Sequence, residues 1–139
     1  GEKSNYFNTI KNLITQSKET KKIVRNTAGN EIRNYIHVKD AVEICSNLAS
    51  KKYDNKYFNL LGKEKKTMKQ VVLTIAKELK IKKVIFKKNF QDHDHYIVNP
   101  YTYKTRIGEL IKPNKPIDFI KGIKKIIIDE KKLSAKKSK

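Results

Sequence analysis

At 139 residues the chain has room for one hydrophobic core and hardly for two. Its 37% hydrophobic and 34% charged residues suit a piece that packs against a partner domain, and no apolar run approaches the ~20 residues needed to span a membrane. The net charge of +19 invites a nucleic-acid reading, yet all but Arg25, Arg33 and Arg106 of the 33 basic residues are lysines, scattered from Lys3 to Lys139, whereas base readout and bidentate phosphate contacts favour arginine.

In chain order, Tyr6, Ile10, Leu13 and Ile14 recur at helical spacing and predict a first helix from about Asn5 to Ser17. Lys22 to Arg25 reads as a short strand, and Asn26-Thr-Ala-Gly-Asn30 as a turn. A strand over Tyr35–Val38 follows. Asp40 then caps a helix carrying Ala41, Ile44, Cys45 and Leu48 on one face, with Glu43 completing a capping-box-like pair. Cys45, the single cysteine, excludes an internal disulfide and fits a reducing, cytoplasmic compartment. Its place on the apolar side reads as a buried core thiol.

Tyr57 to Leu61 is the next strand, ended by Gly62. Thr67 and Gln70 fit a capping box for a helix burying Met68, Val71, Val72, Ile75 and Leu79. Strands are expected at Val84–Phe86 and Tyr96–Val98, and a short helix around Tyr101–Leu110. Pro116 suits the first turn of a last helix, to Asp129, with Phe119, Ile120, Ile123, Ile126 and Ile127 as its apolar stripe. The expected domain is residues 1–130, followed by a lysine-rich, frayed tail over 131–139. Short strands alternating with helices make the class α/β, with an α+β-like character.

The most informative stretch is Arg33-Asn-Tyr-Ile-His-Val-Lys-Asp40, followed after a helix by Tyr57-Phe-Asn-Leu-Leu-Gly62. It resembles the R-D-Y-I-H-V-x-D and Y-N-L-G segments in the second half of NAD-dependent sugar-nucleotide epimerases and dehydratases, the extended short-chain dehydrogenase family. The capped helix from Thr67, the basic strand Lys82 to Lys87, Asp92, Asn99-Pro-Tyr-Thr, Lys112-Pro113 and the last helix follow in the family's order, so the likeness covers nearly the whole chain. It implies a fragment that begins in the middle of such an enzyme. The family's first half carries the Gly-rich dinucleotide turn and the catalytic Tyr-x-x-x-Lys pair; its second half grips the nucleoside diphosphate sugar. With five scattered glycines and no G-x-x-G-x-x-G turn, this chain has no cofactor site of its own, and NAD is expected of the full-length parent. Tyr35 and Lys39 share the Tyr-x-x-x-Lys spacing but straddle a strand and a helix start, so no catalytic residue is assigned.

The resemblance implies five substrate-side residues. The counterpart of Arg33 contacts the diphosphate, where a guanidinium fork suits two phosphate oxygens; the bland alternative is a structural pair with Asp40 or Glu31. Val24 and Arg25 lie on the strand that runs beside the base in the family, where main-chain groups make the contacts. The second phosphate arginine of many members is replaced by Asn89, leaving Lys88 as a point charge. Tyr96 falls where members face the sugar, or is a core aromatic. Asp92-His-Asp-His95 offers ligand types but no third histidine nearby, so no metal is assigned. Different classes of explanation are a basic module binding nucleic acid and a domain docking on a separate cofactor-binding subunit.

Overall fold

The computed structural model describes residues 8–87 and 107–137, and these form a mixed α/β structure. In chain order they give α1 (Thr9–Thr20), β1 (Lys22–Arg25), β2 (Ile32–Tyr35), α2 (Val38–Leu48) and a 3-10 turn (Lys51–Tyr53). Then come β3 (Phe58–Leu60), β4 (Glu64–Thr67), α3 (Met68–Leu79), β5 (Lys83–Phe86), β6 (Glu109–Ile111) and α4 (Phe119–Lys137). The strands pair in twos: β1 with β5 and β3 with β6 in parallel, β2 with β4 antiparallel.

The core follows from the apolar periodicity of three helices. Leu13 and Ile14 of α1, Val71, Val72, Ile75 and Ala76 of α3, and Ile123 and Ile127 of α4 close around Ile23 of β1 and Met68. Val71, Val72 and Ile75 are wholly buried, and burying a side chain of that kind contributes about 1.5–3 kcal/mol. Helix α3 starts as its sequence dictates. The Thr67 hydroxyl accepts the Gln70 N–H, and the Gln70 side chain accepts the Thr67 N–H. The next free donors, the N–H groups of Met68 and Lys69, reach the carbonyls of Glu31 and Gly29 at 2.8 Å each. The β1–β2 turn is thereby stitched to the head of α3. Gly29 makes this possible: its φ is +79°, and a β-carbon there would press within 3.1 Å of the Lys69 nitrogen.

At the other end of α3, Lys80 takes the left-handed conformation (φ 56°) where glycine is usual. Its N–H reaches Lys77 O, while the Ile81 N–H reaches Ala76 O at 2.8 Å and Ile81 folds onto the core.

Several expectations shift. The strand placed at Tyr35–Val38 lies at Ile32–Tyr35, because its partner β4 pairs Thr67 with Ile32 and Glu64 with Tyr35. Val38 instead opens α2, whose cap is His37: its Nδ1 accepts the Lys39 N–H at 3.2 Å. Asp40 is therefore a buried first-turn residue rather than the cap, and Glu43 is exposed, so no capping box forms there. Cys45 is exposed rather than buried, because the side of α2 that packs inward is lined by Ala41, Ile44 and Leu48. Glu109 and Leu110, expected to end a helix, belong to β6 and extend alongside β3. Ile107 and Gly108 form a bend before β6, with Gly108 at φ +89°, while residues 101–106 of that expected helix, the Tyr96–Val98 strand and the Asp92–His95 run lie outside the described residues. The last helix begins at Phe119, where Asp118 accepts the Lys121 N–H at 2.9 Å, and passes Asp129 to reach Lys137.

Candidate functional site

Antiparallel pairing of β2 with β4 decides which side chains meet. Arg33 stands opposite Lys66 and Tyr35 opposite Glu64, and alternate residues of a strand share a face. These four side chains thus project from one side of the ribbon, with Ile32, Asn34, Lys65 and Thr67 on the other. Glu64 is used twice. Its Oε2 lies 2.9 Å from Lys66 Nζ, and its Oε1 accepts the Phe119 N–H at 3.0 Å, docking the start of α4. The Phe119 ring packs on Tyr35 with centroids 5.1 Å apart, and Lys66 Nζ stands 6.0 Å from the same ring. Arg33 Nη1 donates to Ile32 O at 2.9 Å.

Arg25, at the end of β1, comes to the same neighbourhood from the opposite flank. Its Nη2 lies 3.8 Å from Oε1 of buried Glu31, which also accepts the Thr27 hydroxyl at 2.6 Å. Arg25 Nε, Glu31 Oε2 and Asn34 Oδ1 are buried without a hydrogen-bond partner. The charges register on Tyr35. Burial raises its hydroxyl pKa above the usual 10.0; Arg33 and Arg25 pull it down and Glu31 pushes it up, leaving a net rise. At neutral pH Tyr35 is a protonated phenol, a hydrogen-bond donor rather than a base.

Beside this face lies a cavity of about 760 Å³, within the range that holds small organic ligands. Tyr35, Glu64 and Phe119 belong to its wall together with His37, Ile117 and Ile126. Its shape depends on two buried or half-buried carboxylates. Asp40 Oδ2 accepts the Ile117 N–H at 2.9 Å, and Glu64 holds Phe119, so residues 113–119 are tied to α2 and β4. At Gly122 of α4 a β-carbon would come 3.3 Å from His37 Cδ2, which allows the helix to close against the β2–α2 junction.

Of the residues singled out in the sequence, Arg33 and Arg25 converge on Tyr35. Val24 does not join them: it alternates with Arg25 and faces outward, 38% exposed, beside Ile85. Lys88 and Tyr96 lie outside the described residues. Of the partners considered for Arg33, Glu31 lies beside Arg25 and accepts the Thr27 hydroxyl, and Asp40 accepts the Ile117 N–H. Tyr35 and Lys39 occupy a strand end and a helix start, so their spacing is not the helical one.

Lys66 and Glu64 were missed, and Glu31 was considered only as a partner of Arg33. The run Glu64-Lys-Lys-Thr67 has no apolar alternation to announce a strand, and only the pairing with β2 brings Lys66 to Arg33. Among the described residues the N-termini of the four α-helices are capped by side chains of the chain itself, by Asn8, His37, Thr67 with Gln70, and Asp118. Comparison with protein-family models, curated proteins and solved structures gives no match.

Proposed function

We propose that this chain is the substrate-side part of an NAD-dependent sugar-nucleotide epimerase or dehydratase of the extended short-chain dehydrogenase family, working in the cytoplasm. It holds a nucleoside diphosphate sugar through Arg33. A dinucleotide-binding half, in the same chain or in a separate subunit, supplies the cofactor and the catalytic groups. The observation that carries this reading is the position of Arg33: within the resembling segment, on a sheet face shared with Tyr35 and flanked by Arg25, next to a cavity of ligand size. Arg25 and Val24 take different parts. Arg25 adds positive potential from the flank, and the outward face of β1 at Val24 remains open to a base or to the other half.

The parallel sheets support a partner half. Such sheets are found with both faces covered, whereas β1–β5 leaves Val24 and Ile85 exposed side by side, and Leu110 of β6 is 41% exposed. If the cofactor-binding half is a separate subunit, this face is where it docks.

On this reading the isolated chain binds nucleoside diphosphates modestly and turns nothing over. Titration with UDP near ~0.15 M salt is expected to show binding that Arg33→Ala weakens by roughly 10-fold or more, the loss of a charge-assisted bidentate contact. Equal binding by the two proteins would remove Arg33 from the site. Turnover of a UDP-sugar by the chain with NAD alone would contradict its catalytic incompleteness.

A further inference from the structure

We infer that the cavity between the β2–α2 junction and α4 is a binding site for a small organic amine, with Asp40 as the group that takes its ammonium. This goes beyond the nucleotide reading and needs neither Arg33 nor a diphosphate.

The argument starts from the two oxygens of Asp40. As a first-turn acid the residue suits the head of α2, and its Oδ2 accepts the Ile117 N–H at 2.9 Å. Its Oδ1 has no hydrogen-bond partner among the described residues. Yet Asp40 is only 5% exposed, and it lines the cavity. A buried carboxylate oxygen without a donor costs free energy. An ammonium in the cavity removes that cost through a charge-assisted hydrogen bond.

The neighbouring charges of the wall are engaged or exposed. Glu64 uses one oxygen on the Phe119 N–H and the other on Lys66. Lys63 donates to the Asn114 carbonyl, Lys125 pairs with Asp129, and Lys11 with Glu130. Lys39 and Asp118 are exposed. The buried charge that still has a place for a ligand is therefore negative.

The rest of the wall sets the shape of that ligand. Phe119, Ile117 and Ile126 offer an apolar surface to a ring or an alkyl body. His37 Nδ1 accepts the Lys39 N–H, which puts the proton of the neutral imidazole on Nε2. Tyr35 is a phenol donor. Both residues line the cavity, and neither Nε2 nor the hydroxyl has a hydrogen-bond partner among the described residues. They suit an oxygen of the ligand. The class is thus a compact amine with an oxygen acceptor and an apolar body, held within about 760 Å³.

The test is titration of the chain with phenylalaninol, which joins an ammonium, a hydroxyl and a phenyl ring. Phenylpropanol, without the ammonium, and phenethylamine, without the hydroxyl, are its controls. A net charge of +19 repels cations in general, so a preference for the amine marks a local site. Wild type should bind phenylalaninol saturably, with amide shifts at Ile117 and Phe119, and phenylpropanol roughly 10-fold more weakly. Phenethylamine should fall between them. Asp40→Asn keeps the size of the side chain and an oxygen for the Ile117 N–H; it should weaken phenylalaninol by roughly 10-fold and leave phenylpropanol unchanged. Glu43→Gln, an exposed acid of α2 off the cavity wall, should change neither. Thermal melts show which variants fold, and the comparison of ligands on wild type decides without any variant. No saturable binding of phenylalaninol, equal affinity for phenylpropanol, or a folded Asp40→Asn that binds as wild type does overturns the site. Phenethylamine binding as tightly as phenylalaninol overturns the part given to His37 and Tyr35.

Discussion

Tyr35 stands where two arginines and a glutamate meet a packed aromatic, and its proton reports their balance. Burial outweighs the two guanidinium groups and raises its pKa above 10.0 in the folded chain. The folded state therefore holds this proton more tightly than the unfolded state does. The resulting stability is complete below about pH 10 and is lost as pH climbs from there through the higher folded value. Tyr35→Phe removes that titration. Denaturant unfolding followed from about pH 8 to about pH 11 should show a shallower alkaline loss in Tyr35→Phe than in wild type; equal slopes would mean that Tyr35 is not held as described. Residue-level reading of the sequence did well where one position implies its own chemistry. The Gly29 turn is of that kind. It failed for Glu31 and Asp40, whose partners Arg25 and the Ile117 N–H depend on how separate segments meet. It also failed for Cys45, since an apolar side of a helix is buried only where something covers it.

Elements were legible in proportion to their local signals. Helix α3 has both a capping box and an uninterrupted apolar period, and it forms where they indicate. Its cap also carries the site, because the Met68 and Lys69 N–H groups beside it hold the turn that leads into Arg33. Thr67→Ala should cost about 1 kcal/mol, read as a lower urea midpoint at unchanged slope, while Thr67→Ser should keep most of the stability. An unchanged midpoint in Thr67→Ala would show the cap to be redundant. Strands β4 and β6 went unread for a physical reason. Glu64–Thr67 is short and polar and Glu109–Ile111 is short and largely exposed, so their backbones extend because a partner strand is there rather than because their side chains demand it. The misplacement of β2 has the same origin. Its register is set by β4, and Gly62 permits the crossing, since a β-carbon there would overlap the Tyr35 carbonyl oxygen. The apolar pair Ile36 and Val38 suggested a strand that pairing does not continue.

Across the whole molecule, positive charge dominates, yet on the cavity wall five carboxylates, Asp40, Glu64, Asp118, Asp129 and Glu130, balance Lys11, Lys39, Lys63 and Lys125. On the proposed reading, the cation that matters for the ligand is Arg33, beside this mixed lining, and not the scattered lysines. A nonspecific polyanion binder would use that scattered charge instead, with contacts spread over many lysines and a steep dependence on salt. No helix among the described residues is long and apolar enough to cross a membrane. Neither the cavity nor the Arg33–Lys66 face could be read from sequence, because α1, the β2–α2 junction, β4 and α4 each contribute a part. The measurement that separates a diphosphate site from a general basic surface is mapping of backbone amide shifts on adding UDP at about 0.15 M salt. The account predicts shifts concentrated on Arg33, Tyr35, Lys66 and the neighbouring Phe119. Shifts scattered over exposed lysines, or none at all, would contradict it.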